Sequence, residues 1–513
     1  MKKMMLLTLL FSTSIAMAQK GDASAKYAGV ITAEALKQKL SIIASAEMEG
    51  RETASPGQKR AAAYIESEFK RMGLTPGNGE SYQQQYPVYR DELTTKQLRV
   101  NGQHFDWDKD FSFSLRGVAF GDWTYNNIVF AGFGIVDSIN KVNDLSGLDV
   151  KGKLVVILDG APAGYTAPVA TGRRAMSVTS ANAKIAAARK AGAAAVLVVT
   201  NDFPRKAATA TKGEMYLKAS PTAAFSATIS ARVMSALIGR TSALSFDELK
   251  QIQKGSYVSE LKIVAAKTTE NLESSNVVAV LPGTDKKEEY VFLTGHYDHL
   301  GKRGDVIYYG ADDDGSGTVG VMQMAEAFAA AAKKGNRSRR TMVFMTVSGE
   351  EKGLWGSDYY SEHPLFPLDK TSVDLNTDMI GRVDTERKTA DTLNYIYVIG
   401  HDKLSSELPV INEAVNNQYT KLTLDYKYDD PKDQNQIYYR SDHYNFAKKG
   451  VPVLFFYDGM LQSDYHKPTD TIEKINFELM EKRTKLVFHT AWIMANQDNM
   501  LKRDTPLNMP STR

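Results

Sequence analysis

The 513-residue sequence contains no cysteine, which excludes disulfide staples, thiolate metal ligands, a cysteine nucleophile and a lipid-modified N-terminal cysteine. It also lacks an excess of either charge. The 63 Lys and Arg against 60 Asp and Glu leave a formal net charge of +3, and the basic residues are scattered. No electrostatic footprint for nucleic acid follows from that distribution, so nucleic acid is not an expected partner. Long apolar runs are scarce as well. The stretch after Lys2 and Lys3 is shorter than the ~20 residues of a spanning helix and ends in Ala16-Met17-Ala18, a small-x-small cleavage pattern. Residues 1–18 therefore read as a signal peptide, with a mature chain starting at Gln19, exported to a periplasm or secreted and without a transmembrane segment.

Several catalytic signatures are missing too. There is no H-E-x-x-H, no G-x-S-x-G elbow and no G-x-x-x-x-G-K-[ST] loop, which leaves a metal-activated water as the remaining nucleophile. What is present is a globular composition, 43% hydrophobic and 24% charged, in a chain long enough for two or three folding units.

Between Thr32 and Leu74 the pattern is helical. Ala62, Ile65 and Phe69 recur at helical spacing after Ser55-Pro56-Gly57, and Gly73 supplies a stop. From about Tyr125 to Ala265 short β-rich runs, "NNIVFAG" and "KLVVILDG", alternate with "AKIAAARKAGAAAVLVVT", an Ala-rich helix leading into a strand. The expected organisation is a discontinuous domain, 19–124 with 272–513, around a smaller β-rich α/β insert at 125–271. In the C-terminal part the runs "EYVFLTG", "RTMVFMTVS", "SVDLNTD" and "VPVLFF" read as strands. Their continuous apolarity, with the helix "TVGVMQMAEAFAAAAKK" after the first, predicts an α/β fold with a mixed, mainly parallel sheet flanked by helices.

Ligands of such sheets bind at the carboxyl ends of the strands, and there the titratable residues fall. His296 and Asp298 follow the first run, Glu350 and Glu351 the second, Asp378 ends the third, and His466 follows the fourth by a loop. Asp312, Asp313 and Asp314 precede the helix. An EF-hand reading of that run fails, because the twelfth position from Asp312 is Gln323. Imidazoles mixed with carboxylates suit Zn²⁺ or a similar divalent ion, and more than four such groups suggest two ions sharing a carboxylate. Asp298, two residues from His296 on an extended chain, is placed to orient that imidazole. His299, His363, His401, His443 and His489 read as structural or surface residues. Asp425 to Tyr439 is polar and suits either a pocket wall or a surface loop.

The segments "HYDHLG", "DDDGSG", "SGEEKGLWGS", "LNTDMIGR" and "YHKPTDT", in that order, resemble the motifs of the M28 family of zinc aminopeptidases. The resemblance implies that His296 and Asp378 hold one Zn²⁺, Glu351 and His466 a second, and Asp313 bridges both. It implies Glu350 as general base and Tyr465 as oxyanion support, with peptides as substrates. Asp314 departs from the family pattern, where Asn is common. "MEGRETASPGQKRAAAYIESEFKRMGL" is similar to the family's N-terminal helix region, and "DLSGLDVKGKLVVILDG" with "AARKAGAAAVLVV" to the protease-associated (PA) domain often inserted there. The alternatives are a carboxypeptidase or dipeptidase on the same metals, a glutaminyl cyclase-like enzyme, or a non-catalytic binding protein on this fold. A carboxypeptidase would need a cationic group for the substrate carboxylate, and Arg382 is near the motifs without forming a cluster.

Overall fold

The computed structural model describes residues 23–115, 119–170, 176–219, 222–389 and 391–509. The signal peptide expected at 1–18 lies outside the described residues. The chain divides into two compact units, one made of Met1–Pro87 with Glu273–Arg513, the other of Val88–Leu272. The expected insert began at residue 125, whereas the structural unit begins at Val88. The reason lies in residues that look like ordinary strand and loop in sequence. The strand Gln83–Val100 pairs with Gln103–Phe105 and Lys212–Tyr216, and Phe113 packs edge-on against Phe225. Those partners belong to the second unit, so their apolar burial decides the boundary.

In the first unit, helix α1 (Ala33–Ile43) is followed by α2 (Pro56–Met72). The sequence signals account for the ends of α2. Ser55 Oγ accepts from Gln58 N, Pro56 occupies the first turn, and Gly73 closes the helix at φ 79°, a left-handed conformation that costs glycine nothing. Ala62, Ile65 and Phe69 form its buried face.

The sheet of this unit contains β1 (Gly255–Leu281, by its C-terminal part), β2 (Lys286–His296), β3 (Arg340–Val347), β4 (Thr371–Thr377), β5 (Tyr395–Ile399), β6 (Thr423–Asp425) and β7 (Val453–Tyr457), in the order β6-β5-β7-β4-β2-β3-β1. The central four, β7-β4-β2-β3, are parallel. They are the four apolar runs identified in sequence. β5 runs antiparallel to β7, and β1 antiparallel to β3, which makes the sheet mixed and mainly parallel.

Alternation along each strand feeds two cores. Val291, Leu293, Phe344, Leu375 and Phe456 pack with α1, α2, α3 (Gly317–Lys333) and a C-terminal helix, α5 (Phe477–Asn496). Phe292, Val343, Met345 and Phe455 pack on the opposite face with Tyr360 of α4 (Trp355–Glu362) and Phe446. Each such side chain, fully buried, is worth about 1.5–3 kcal/mol. Together they fix the strands whose ends carry the polar residues.

The second unit has its own parallel strands, Gly121–Phe130, Leu154–Leu158, Ala195–Val199 and Phe225–Ile229, and helix Ala181–Lys190 precedes the third of them. Among the described residues no helix is long and apolar enough to cross a membrane.

Candidate metal centre

The parallel strands deliver their polar residues to one edge. His296 is the last residue of β2, Glu350 and Glu351 lie in the loop after β3, Asp378 directly follows β4, and His466 lies in the loop after β7. Asp313 comes from the turn Ala311–Ser316 that enters α3, and its peptide to Asp314 is cis. That turn is held from several sides. Asp470 accepts from the backbone N of Asp312 and of Asp313, each at 3.1 Å. Asp314 turns inward and accepts from the backbone N of His296 (3.1 Å), Gly317 (2.8 Å) and Met379 (3.0 Å). Its carboxylate thus ties three motif segments together through their backbone N–H groups. A Cβ at Gly317 would lie 2.3 Å from Thr377 O, so the close approach of α3 to β4 requires glycine there.

Asp313 is central. Its Oδ1 lies 3.3 Å from His296 Nε2 and its Oδ2 3.2 Å from His466 Nε2, one oxygen toward each imidazole. On the first side Asp378 Oδ1 is 3.6 Å from His296 Nε2, and on the second Glu351 Oε2 is 3.0 Å from His466 Nε2. Glu350 Oε2 stands 3.8 Å from His296 Nε2, beside the first set. The geometry therefore brings all five expected ligands and Glu350 into one cluster, arranged as two sets that share a carboxylate.

The imidazole of His296 faces Asp298, more closely through its carbonyl than through its carboxylate. Its Nδ1 is 3.1 Å from the backbone O of Asp298 and 3.7 Å from that residue's carboxylate. An Nδ1–H donated to the carbonyl leaves the Nε2 lone pair facing Asp313 and Asp378. The Asp298 carboxylate instead accepts from Thr53 Oγ1 at 2.6 Å and from Glu350 N at 3.2 Å, positioning the loop that carries Glu350.

Electrostatics make this a place that demands cations. With protons as the only counter-charge, burial opposes a charge on His296, but Asp378 and Glu350 outweigh it and hold its pKa well above the usual value. Burial likewise opposes charge on His466, yet the Asp313 and Glu351 carboxylates beside its Nε2 push it up to about 10. Glu350 is raised well above the carboxylate range by burial, against the pull of His296. Asp313 is driven well below it, because His296 and His466 overcome its burial. Asp313 Oδ2 and Glu351 Oε1 are buried without a hydrogen-bond partner. Orphaned oxygens among neutral-capable imidazoles are the donor set a divalent ion fits.

Sequence reasoning missed four contributors. His299 is fully buried with Nδ1 2.7 Å from Glu351 Oε1. Arg51, also fully buried, donates to the carbonyls of Tyr297 (2.6 Å), Ile43 (2.8 Å), Tyr309 (2.7 Å) and Gly310 (2.8 Å), clamping the segments that carry His296 and Asp313. Asp470 ends the "YHKPTD" motif and was visible only as part of it. Arg440 donates to Tyr465 Oη at 3.0 Å. Burial holds the Tyr465 phenol far above its usual pKa, so it keeps its proton, and with Arg440 on its oxygen that proton is free to point elsewhere. Arg382 is engaged otherwise, with Nη2 2.9 Å from Asp464 Oδ2. The polar run 425–439 folds against Gly400 and His401 through Asp429, which accepts from their backbone N at 2.6 and 3.2 Å.

Residues 276–491, which span every one of the expected ligands, match the model of peptidase family M28. A probable leucine aminopeptidase of Trichophyton verrucosum is 29% identical over 43% of this chain and 57% of its own length. Aminopeptidase YwaD of Bacillus subtilis is 28% identical over 42% of the chain and 44% of its own length. The chain thus spans less than two thirds of the length of either relative. The aminopeptidase from Aneurinibacillus sp. strain AM-1 shares the fold, with a TM-score of 0.52 and 19% identity over 96% of this chain and 100% of that one. The segment 276–491, with every expected ligand inside it, is therefore what this chain shares with peptidase family M28.

Proposed function

We propose that this chain is an exported zinc aminopeptidase that removes N-terminal residues from peptides, using two zinc ions held by His296, Asp313, Glu351, Asp378 and His466. The observation that carries the two-ion reading is Asp313, with one oxygen 3.3 Å from His296 and the other 3.2 Å from His466. When bound, zinc supplies Lewis acidity toward the scissile carbonyl and acidifies water. The chain's own groups do the rest. Glu350, on the His296 side, takes the proton from the attacking water and delivers it to the leaving amine. Tyr465 donates its phenol proton to the carbonyl oxygen as negative charge grows there, and Arg440 holds that phenol by its oxygen. The relatives named as aminopeptidases support the substrate end of this reading. The unit Val88–Leu272 supplies none of these residues, and we read it as the PA-like insert.

A panel of free and N-acetylated aminoacyl and dipeptide substrates tests this, assayed before and after chelation and after zinc return. Cleavage of free-amine substrates alone, abolished by chelation and restored by zinc, is expected. Cleavage of acetylated substrates at equal rates would overturn the aminopeptidase reading. Cell fractionation tests export, with the protein expected outside the cytoplasm.

One observation favours a second reading, a dipeptidase or carboxypeptidase on the same metals. Arg440 is a half-buried guanidinium beside Tyr465 that forms no ion pair among the described residues, so its remaining N–H groups are available to a substrate carboxylate. The same panel separates the two readings by comparing dipeptides with their C-terminal amides.

A further inference from the structure

His299 is buried more deeply than its surroundings explain. It is 0% exposed, and neither ring nitrogen has a hydrogen-bond partner among the described residues. Its Nδ1 faces Glu351 Oε1 at 2.7 Å and Asp313 Oδ2 at 3.9 Å, and those two oxygens are orphaned as well. The 2.7 Å approach to Glu351 is that of an ion pair whose atoms are not aligned as a hydrogen bond. Polar atoms left this way are costly unless something outside the chain takes their lone pairs. The ring of His466 stands 5.9 Å away at 72°, so both imidazoles converge on the same two carboxylates.

The backbone keeps His299 there by design of several elements. His299 N donates to Arg51 O at 3.2 Å, and the Arg51 side chain grips Tyr297 O and Gly310 O on either side. Gly310, at φ 56°, packs its Cα against the ring, where a Cβ would come within 2.5 Å of His299 Cγ. An imidazole merely filling space would not need such a cradle of fixed carbonyls and a glycine wall.

We propose that His299 is a sixth metal ligand, joining Glu351, His466 and Asp313 around one ion. The inference rests on the two-ion reading given above. Two imidazoles and two carboxylates would supply four protein donors, the closed set of a holding site, whereas His296, Asp378 and Asp313 would supply the other ion with three. The two sites therefore differ in affinity, and substrate engages the His296 side.

The test is metal binding, which needs no turnover. Chelator-stripped native chain, His299→Ala and His299→Gln are titrated with Zn²⁺ against a chromophoric competitor and with Co²⁺ followed by its visible absorption. Native chain is expected to bind two equivalents, one at least about 100-fold tighter than the other. In both variants the tight class alone should weaken by about 100-fold and its Co²⁺ spectrum change. Retention of the tight class and spectrum in His299→Gln, which offers Glu351 an amide but no imidazole, would overturn ligation. Circular dichroism of the stripped proteins checks that the variants fold. X-ray absorption of native chain carrying one equivalent of Zn²⁺ covers the case in which they do not: two imidazoles per zinc are expected, and a single one overturns the proposal. Metal binding without peptidase activity would sink the functional reading and leave this one standing, and the reverse pattern would do the opposite.

Discussion

Among the described residues of the first unit, histidine and aspartate gather in two clusters, and one of them has the character of a metal centre. At the strand ends, His296, Asp313 and Asp378 offer donor atoms within 4.8 Å of one another, as do His299, Asp313 and Glu351. His401, Asp402 and Asp429 satisfy the same spacing. In the second cluster, however, every attraction is already met. Lys403 Nζ pairs with Asp402 and lies 3.5 Å from Asp429 Oδ1, His401 Nδ1 pairs with Asp429, and the His401 ring stacks on Tyr426 at 3.7 Å. Among the described residues no Lys or Arg pairs with Asp313, Glu350, Glu351 or Asp378. Residue type and proximity are therefore shared, and the difference is charge balance: one cluster carries its own cation, the other is short of one.

Removing one aspartate from each cluster tests whether charge balance is what separates them. Asp313→Ala should lower affinity for both ions by at least about 100-fold and abolish turnover, because even outer partners of a metal are worth about 10–100-fold. Asp429→Ala should leave both unchanged. Metal stoichiometry by elemental analysis decides it, and a loss of bound zinc in Asp429→Ala would mean that both clusters hold metal.

Within the first cluster, holding metal and doing chemistry can be separated. Glu350→Gln is expected to keep both ions and lose roughly 10²–10⁴ in kcat, the usual range for a general base. Full activity in a metal-loaded Glu350→Gln protein would reassign the base. A smaller effect concerns Arg440, a cation at the site's edge beside Tyr465. Arg440→Met should lower kcat/KM for dipeptides about 10-fold or more relative to their C-terminal amides if the guanidinium meets a substrate carboxylate. An equal fall for both would confine Arg440 to positioning Tyr465.

The central sheet and the residues that cluster at its edge were legible because each rests on a local signal. Continuous apolar runs marked β2, β3, β4 and β7, and a run of five ordered motifs marked the residues at their ends. β5 and β6 were not legible. "YIYVI" and "TLD" carry no titratable motif, and their places depend on pairing across Tyr397 and Tyr457 that only the fold creates. The same holds for the boundary at Val88, set by partners more than a hundred residues away. His299 was passed over because sequence gives spacing but not direction: three residues beyond His296, it leaves the strand and returns to face Glu351 only because Arg51 folds the loop back. Arg51 itself, a charged residue in a helical stretch, gave no sign of complete burial.

The smallest expected effect concerns a histidine of a third kind, one kept neutral by apolar surroundings. His489 is 4% exposed, stacks on Tyr419 at 3.9 Å and 4°, and pairs its Nδ1 with Ser24 Oγ. Burial first, and Lys485 second, depress its pKa from 6.5 to about 4. The unfolded chain therefore binds the proton more readily than the folded one, so stability from this group is complete above pH 6.5 and is lost as pH falls from there toward 4. The loss across that window should be roughly 3 kcal/mol. Urea unfolding of chelator-stripped native and His489→Gln proteins at pH 7 and pH 4.5 isolates it, since metal release then contributes to neither. The variant should lose less stability between the two pH values than the native chain. An equal loss would mean that His489 titrates normally, and that apolar packing at α5 does not enforce the neutral state that separates it from the metal-site histidines.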